Sequence, residues 1–149
     1  MFGFRKKDKL YDIVAYLYQN INDKRFTHIS RAIFLSDWKY CLSTGERLTK
    51  ICWEKSNATG VFSSDLGKID SIINSISRKP DKIWGKSLSK DAIFAMDHVV
   101  EVVNRLGYQE SLMIVFSTYP IITSDDRDII DIVYSSKQYQ LVKVEPASS

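Results

Sequence analysis

The sequence contains no apolar run that approaches the roughly 18 residues a membrane-crossing helix requires. A secretory leader is not expected either. The basic start Arg5-Lys6-Lys7 runs into an amphipathic stretch carrying Asp8, Lys9 and Asp12, where a signal peptide would place an uninterrupted apolar segment. Cysteine is scarce. Cys41 and Cys52 stand in apolar surroundings without CxxC spacing and without a histidine cluster, so zinc and dithiol chemistry lack their ligand pattern. Both are expected to be small buried hydrophobes in a reducing compartment, and a Cys41–Cys52 disulfide has no further support. A cytoplasmic protein with no membrane association is the expectation, in which the sequon Asn57-Ala58-Thr59 stays idle.

Catalytic signatures are missing as well. His28 and His98 lie far apart in the chain and outside any HExxH spacing, and there is no Walker loop, GxGxxG or GxSxG elbow. Each histidine is expected at the surface or as a hydrogen-bonded structural residue. Asp125-Asp126-Arg127-Asp128 lacks the carboxylate and glycine spacing of a calcium loop and reads as the solvated start of a helix. No metal, no cofactor and no enzymatic activity are therefore expected. Twenty-one Lys and Arg against 18 Asp and Glu leave a net charge of +3, too small to mark a nucleic-acid binder. Two basic clusters, Arg5/Lys6/Lys7/Lys9 and Arg78/Lys79/Lys82/Lys86, keep a regulator of winged-helix type open as an alternative. Against it, the second helix is too apolar for a recognition helix, which exposes Arg, Asn and Gln to base edges.

What the chain does contain is a mainly α pattern. At 149 residues with 44% hydrophobic and 26% charged residues, it can close one core without staples. The organising stretch is 27–42, THISRAIFLSDWKYCL. Ile29, Ala32, Ile33 and Tyr40 share one stripe, and Phe34, Leu35, Trp38 and Leu42 share another. A surface helix carries a single apolar stripe, so this breadth predicts a central, largely covered helix. Thr27 is its expected N-cap and Gly45 its stop, with Ser30, Arg31, Ser36, Asp37 and Lys39 forming a narrow wet strip.

A helix over 8–21 precedes it, with Leu10, Ile13, Val14, Leu17, Tyr18 and Ile21 at helical spacing. After it, the spacing of Leu48, Ile51 and Trp53 suits a short strand. Val61-Phe62 either begins a return strand or plugs the core. Ser63 or Ser64 caps a helix bearing Leu66, Ile69, Ile72, Ile73 and Ile76, and Ser87 or Ser89 opens a longer one ended by Gly107. A helix from 108 to 118 is terminated by Pro120, and Ser124 caps a short last helix docked by Ile129, Ile130 and Val133. The expected fold is thus a single compact helical domain over 1–149 of about six helices, with a two-stranded β element after the second. Its core spans about 8–134, and its flexible ends are 1–7 and 143–149.

Two blocks carry a resemblance. Phe34-Leu35-Ser36-Asp37-Trp38-Lys39, followed by Gly45-Glu46-Arg47-Leu48-Thr49 and Trp53, resembles the Panacea domain, the SocA-like antitoxin family, in which a "YLADWK"-like run leads to a glycine turn and a short strand. Downstream, Val115-Phe116-Ser117-Thr118-Tyr119-Pro120-Ile121 is similar to the family's "VYSTYPI" run. The blocks come in the family's order, and the resemblance covers most of 8–133. In place of the Gly-Pro loop of many members stands Thr59-Gly60-Val61-Phe62, without the proline. The resemblance implies an antitoxin that binds and neutralises a co-encoded toxin, some members acting as adaptors that deliver the toxin to a Clp-type protease. Phe34, Leu35, Asp37, Trp38, Gly45, Trp53, Ser117, Thr118, Tyr119 and Pro120 are expected in the core, since neither motif is catalytic.

A partner-binding surface presents aromatic and Arg anchors inside a polar rim. The candidates on this chain are Arg31, the loop residues Asn57, Thr59, Gly60 and Phe62, and the segment holding Lys82, Trp84 and Lys86. Besides a cognate toxin, the remaining alternative partner is a larger phage-defence or mobile-element complex in which the chain would be a structural subunit.

Overall fold

The computed structural model describes residues 9–79 and 87–144. Helix α1 (Lys9–Asn20) leads to the central helix α2 (Phe26–Thr44), then to strands β1 (Glu54–Ser56) and β2 (Gly60–Phe62). Helices α3 (Leu66–Ser77), α4 (Lys90–Leu106), α5 (Tyr108–Ser117), the single turn α6 (Tyr119–Ile122) and α7 (Ile132–Val144) complete the order. The mainly α architecture with a small antiparallel pair after the second helix is as expected, with one short helix more. No helix among the described residues is long and apolar enough to cross a membrane.

Helix α2 packs against α1, α3, α4, α5, α7 and β2. It is buried without a break from His28 to Trp38. The expected wet strip is therefore absent over most of its length: Ser30, Arg31, Ser36 and Asp37 are all buried, and of that strip Lys39 alone is half-exposed. Nor does Thr27 cap the helix. Arg25 occupies the N-cap position in extended conformation with no side-chain cap, while Gly45, at φ +80°, closes the other end by donating its N–H to the Cys41 carbonyl as expected. Cys41 is buried, but Cys52 is exposed, and both are free thiols.

Asp37 shapes the segment that connects α2 to β1. Its carboxylate, fully buried, accepts hydrogen bonds from Arg47 Nε at 3.2 Å and Nη2 at 2.7 Å, and from the Leu48 and Thr49 amides at 3.0 and 3.3 Å. The Thr49 hydroxyl donates to it at 2.6 Å and the Trp53 indole N–H at 3.2 Å. Residues 47–53 are consequently wrapped around a side chain instead of paired in a sheet, which corrects the strand expected at Leu48, Ile51 and Trp53. The sheet proper pairs Glu54 with Phe62, Lys55 with Val61 and Ser56 with Gly60.

Three further boundaries differ from expectation. Asp65, not Ser63 or Ser64, holds the N-cap position of α3, and the Ser63 hydroxyl accepts the Asp65 amide at 3.0 Å. The α5 helix stops at Ser117 because Thr118 is extended, and Pro120 lies in the first turn of α6, where its missing N–H costs nothing. Residues 124–131 form no helix. Arg127 N–H donates to Lys55 O, Lys55 N–H to Asp128 O and Ile130 N–H to Trp53 O, each at 2.9 Å, so this segment lies along the free edge of β1. Ile130 is buried, whereas Ile129 is 65% exposed. The last helix begins only at Ile132 and runs to Val144, beyond the expected core limit at 134 and through Lys143, a residue expected in a flexible end. At the start of α4, Ser89 is the cap, accepting the Ala92 amide at 3.1 Å.

Removing Asp37 strands five donor groups on residues 47–53. Asp37→Ala is expected to lower unfolding free energy by about 3 kcal/mol, the low end for breaking a buried pair because the Arg47 side chain is 29% exposed. Urea unfolding of the two proteins measures this, and an unchanged midpoint would contradict the role assigned to the carboxylate.

Candidate functional site

The second apolar stripe of α2 is not fully covered. Leu35, Trp38 and Leu42 face a groove whose other walls are His98, Val99 and Val102 of α4, Ile114 and Ser117 of α5, Thr118 and Tyr119 at the α5–α6 break, and Tyr139 of α7. The cavity measures about 300 Å³. Its aromatic wall is ordered by ring contacts: Trp38 meets Tyr139 edge-on at 5.9 Å between ring centroids and 67°, and Tyr119 lies tilted against Tyr139 at 5.6 Å and 56°. Leu35, Trp38, Val99 and Thr118 are buried, Lys39, Tyr119 and Tyr139 half-buried, and His98 and Ser117 exposed, so the polar groups gather at the mouth.

The groove has little chemistry of its own. The Ser117 and Thr118 hydroxyls donate to the Ile114 and Val115 carbonyls at 2.8 Å, which occupies their protons within the helix end. Among the described residues no acidic side chain lines it. The nearest carboxylates on α4 turn elsewhere: Asp97 accepts the Tyr16 hydroxyl and Glu101 pairs with Arg105 at 3.9 Å. Burial and then the Asp97 contact push Tyr16 up to about 12. Among the described residues no group of three or more His, Cys, Asp or Glu could hold a metal ion. What the arrangement offers is a shaped apolar surface with Lys39 and the His98 imidazole at its edge.

Of the residues read from sequence, those that carry the family resemblance are the ones brought together. Leu35, Trp38, Ser117, Thr118 and Tyr119 line the groove from two distant parts of the chain. Phe34 and Trp53 lie in the core instead, ring edge to ring face at 5.5 Å and 82°, beside the Asp37 carboxylate. Pro120 is buried at the start of α6, and Gly45 closes α2. Ser117 and Gly45 are exposed, against their expected place in the core, since each stands at a helix end that reaches the surface. The sequence marks Lys39, Leu42 and His98 only as a wet-strip, an apolar-stripe and a surface or structural residue, and nothing in it singles out Val102 or Tyr139.

The residues read as partner-binding do not converge. Asn57, Thr59 and Phe62 are exposed, and Asn57 and Phe62 line a separate cleft of about 440 Å³ with Lys55, Asp126 and Arg127. Gly60 is buried, not presented: at φ +90°, its Cβ position lies 2.8 Å from Val115 Cγ1 of α5. Arg31 is 5% exposed and is used internally, its Nη1 donating to the Tyr108 carbonyl at 3.2 Å and its guanidinium 4.6 Å from the Tyr108 ring centroid. Lys82, Trp84 and Lys86 lie outside the described residues, as do Arg5, Lys6 and Lys7.

His28 departs from both expected settings. It is 1% exposed, neither ring nitrogen has a hydrogen-bond partner, and its ring stacks on Tyr108 at 5.6 Å and 28°. Burial holds its pKa below the ordinary histidine value; Asp23 opposes this, and Arg31 and Arg25 add to it. Arg25 itself lies over the other partner of this stack, 3.6 Å from the Tyr108 centroid, while it draws the Asp23 carboxyl down to about 2.

A scan against protein-family models gives no match, and neither curated proteins nor solved structures match the chain.

Gly60 and His28 each carry a measurable consequence. Gly60→Ala must place a methyl against Val115 in a left-handed backbone, so a loss of about 1–3 kcal/mol in urea unfolding is expected; an unaltered midpoint would mean that α5 yields freely. For His28, the unfolded chain takes up a proton near pH 6.5 while the folded chain does so only at lower pH. Stability is therefore complete above about pH 6.5 and declines as the pH falls below it. Comparison of unfolding midpoints at about pH 7.5 and 5.5 should show this decline in the wild type and a smaller one in His28→Phe. Equal declines in both would assign the effect to other groups.

Proposed function

We propose that this protein is a cytoplasmic, non-enzymatic antitoxin-like binder that resembles the Panacea family and neutralises a cognate toxin by masking it, with handover to a Clp-type protease as the adaptor form of the same role. One observation carries the reading. The two sequence blocks that resemble the family, one on α2 and one at the α5–α6 break, supply the walls of a single open groove. Residues kept only for packing would have no need to leave Trp38, Tyr119 and Tyr139 bordering a cavity, whereas an anchor pocket at a protein interface has this make-up of aromatic walls and a polar edge. A structural subunit of a larger complex would use the same groove. The winged-helix alternative draws no support from α2, whose burial from His28 to Trp38 leaves that stretch no face to lay in DNA.

Expression of the neighbouring gene, alone and together with this one, tests the proposal by growth assay and affinity pull-down. The neighbour's product should arrest growth alone, and co-expression should restore growth with a stable complex. A harmless neighbour, or rescue without a complex, would overturn masking.

A further inference from the structure

Resting on that reading, we propose that the groove between α2, α4, α5 and α7 receives one large apolar side chain of the partner, and that a carboxylate beside that side chain in the partner's sequence meets Lys39 and His98 at the mouth. Three features of the groove select this occupant. The first is size. A cavity of about 300 Å³ is at the lower end for ligand sites and suits a single anchoring side chain better than a helix or an extended strand. The second is the graded lining: apolar and aromatic groups lie deep, with Leu35, Trp38 and Val99 all below one-tenth exposure, while the charged and ring-nitrogen groups stand at the edge. A desolvated anchor ringed by polar contacts is the usual form of an interface hot spot.

The third feature is charge. Lys39 and His98 are the titratable non-tyrosine side chains of the lining, and both donate hydrogen bonds or positive charge. The carboxylates closest to them in sequence, Asp37 and Asp97, are committed, one to Arg47 and the loop behind α2, the other to Tyr16 on α1. A partner that brought Lys or Arg to this edge would find no counter-charge, and one that brought Asp or Glu would find two donors. The complementarity selects among partners more than it tightens binding.

Titration of the isotope-labelled full chain with three blocked pentapeptides, followed by NMR, tests the proposal. The first has Phe at its centre flanked by Glu, the second has Lys in place of Glu, and the third has Ala in place of Phe. The Glu-flanked Phe peptide should shift amide resonances around Trp38, His98 and Tyr119. It should bind about two- to fivefold more tightly than the Lys-flanked peptide, the range for one exposed charge pair, made with Lys39, and about thirtyfold more tightly than the Ala peptide. The double variant Lys39→Glu/His98→Glu, which changes only side chains outside the core, should reverse the preference between Glu and Lys peptides, and Val102→Trp should block all three. Equal affinity for the three peptides, shifts confined to residues 54–62, or concentration-dependent self-association that accounts for the shifts would overturn it. The two proposals fail separately. Peptide binding without a complex on co-expression removes the antitoxin reading alone, and a complex indifferent to both variants removes the groove alone.

Discussion

The structure depends on one buried carboxylate. Asp37 lies on the side of α2 away from the groove and draws together the guanidinium of Arg47, two backbone amides, a hydroxyl and an indole, all from the seven residues 47–53. Burying a carboxylate costs several kcal/mol unless donors replace its water, and here they do so in excess of its lone pairs. Arg47 completes the arrangement by donating its Nη2 to the Ile51 carbonyl at 2.7 Å, so the loop is closed upon itself as well as upon the helix.

The consequences run outward from that point. Trp53, drawn in by its N–H, packs its ring on Phe34, and its carbonyl accepts the Ile130 amide, so the segment before α7 is registered against β1 by the same residue that binds Asp37. Helix α7 then starts at Ile132, Cys41 and Ser136 touch where α7 crosses α2, and Tyr139 arrives opposite Trp38 and Tyr119. The groove and the Asp37 arrangement thus lie on opposite sides of α2 and share α7 as their common neighbour. The groove's aromatic wall is set by the starting point of α7.

Much of this was legible in the sequence where periodicity carried it. The two apolar stripes of α2 announced a central helix, and Ile69, Ile72, Ile73 and Ile76 announced α3, because an apolar residue at every third or fourth position has few other outlets. What misled was polarity read without partners. Ser30, Ser36 and Arg31 looked like solvent contacts on a helix, since burial of such groups is rare until long-range donors are known. His28 looked like a surface or hydrogen-bonded group for the same reason, yet its imidazole is buried without a hydrogen bond and stacked on Tyr108. The 124–131 segment, rich in helix-start chemistry, makes a turn at Asp126 and Arg127 and then pairs with the free edge of β1, and nothing local to Asp125 or Ile129 records that offer.

By itself the sequence determined helices α1 to α5, the turn at Gly45, a small β element after the second helix and the absence of any motif for metal or nucleotide chemistry, all of which come from local spacing and local conformational preference. Tertiary structure alone decided which polar side chains are interior, which of the partner-binding candidates are exposed, and that Trp38, Tyr119 and Tyr139 border one groove. The physical reason is the range of the interactions concerned. Helical periodicity and capping act within a few residues, whereas the satisfaction of Asp37, the edge pairing of β1 and the meeting of α2 with α7 depend on groups that only the folded chain brings within reach.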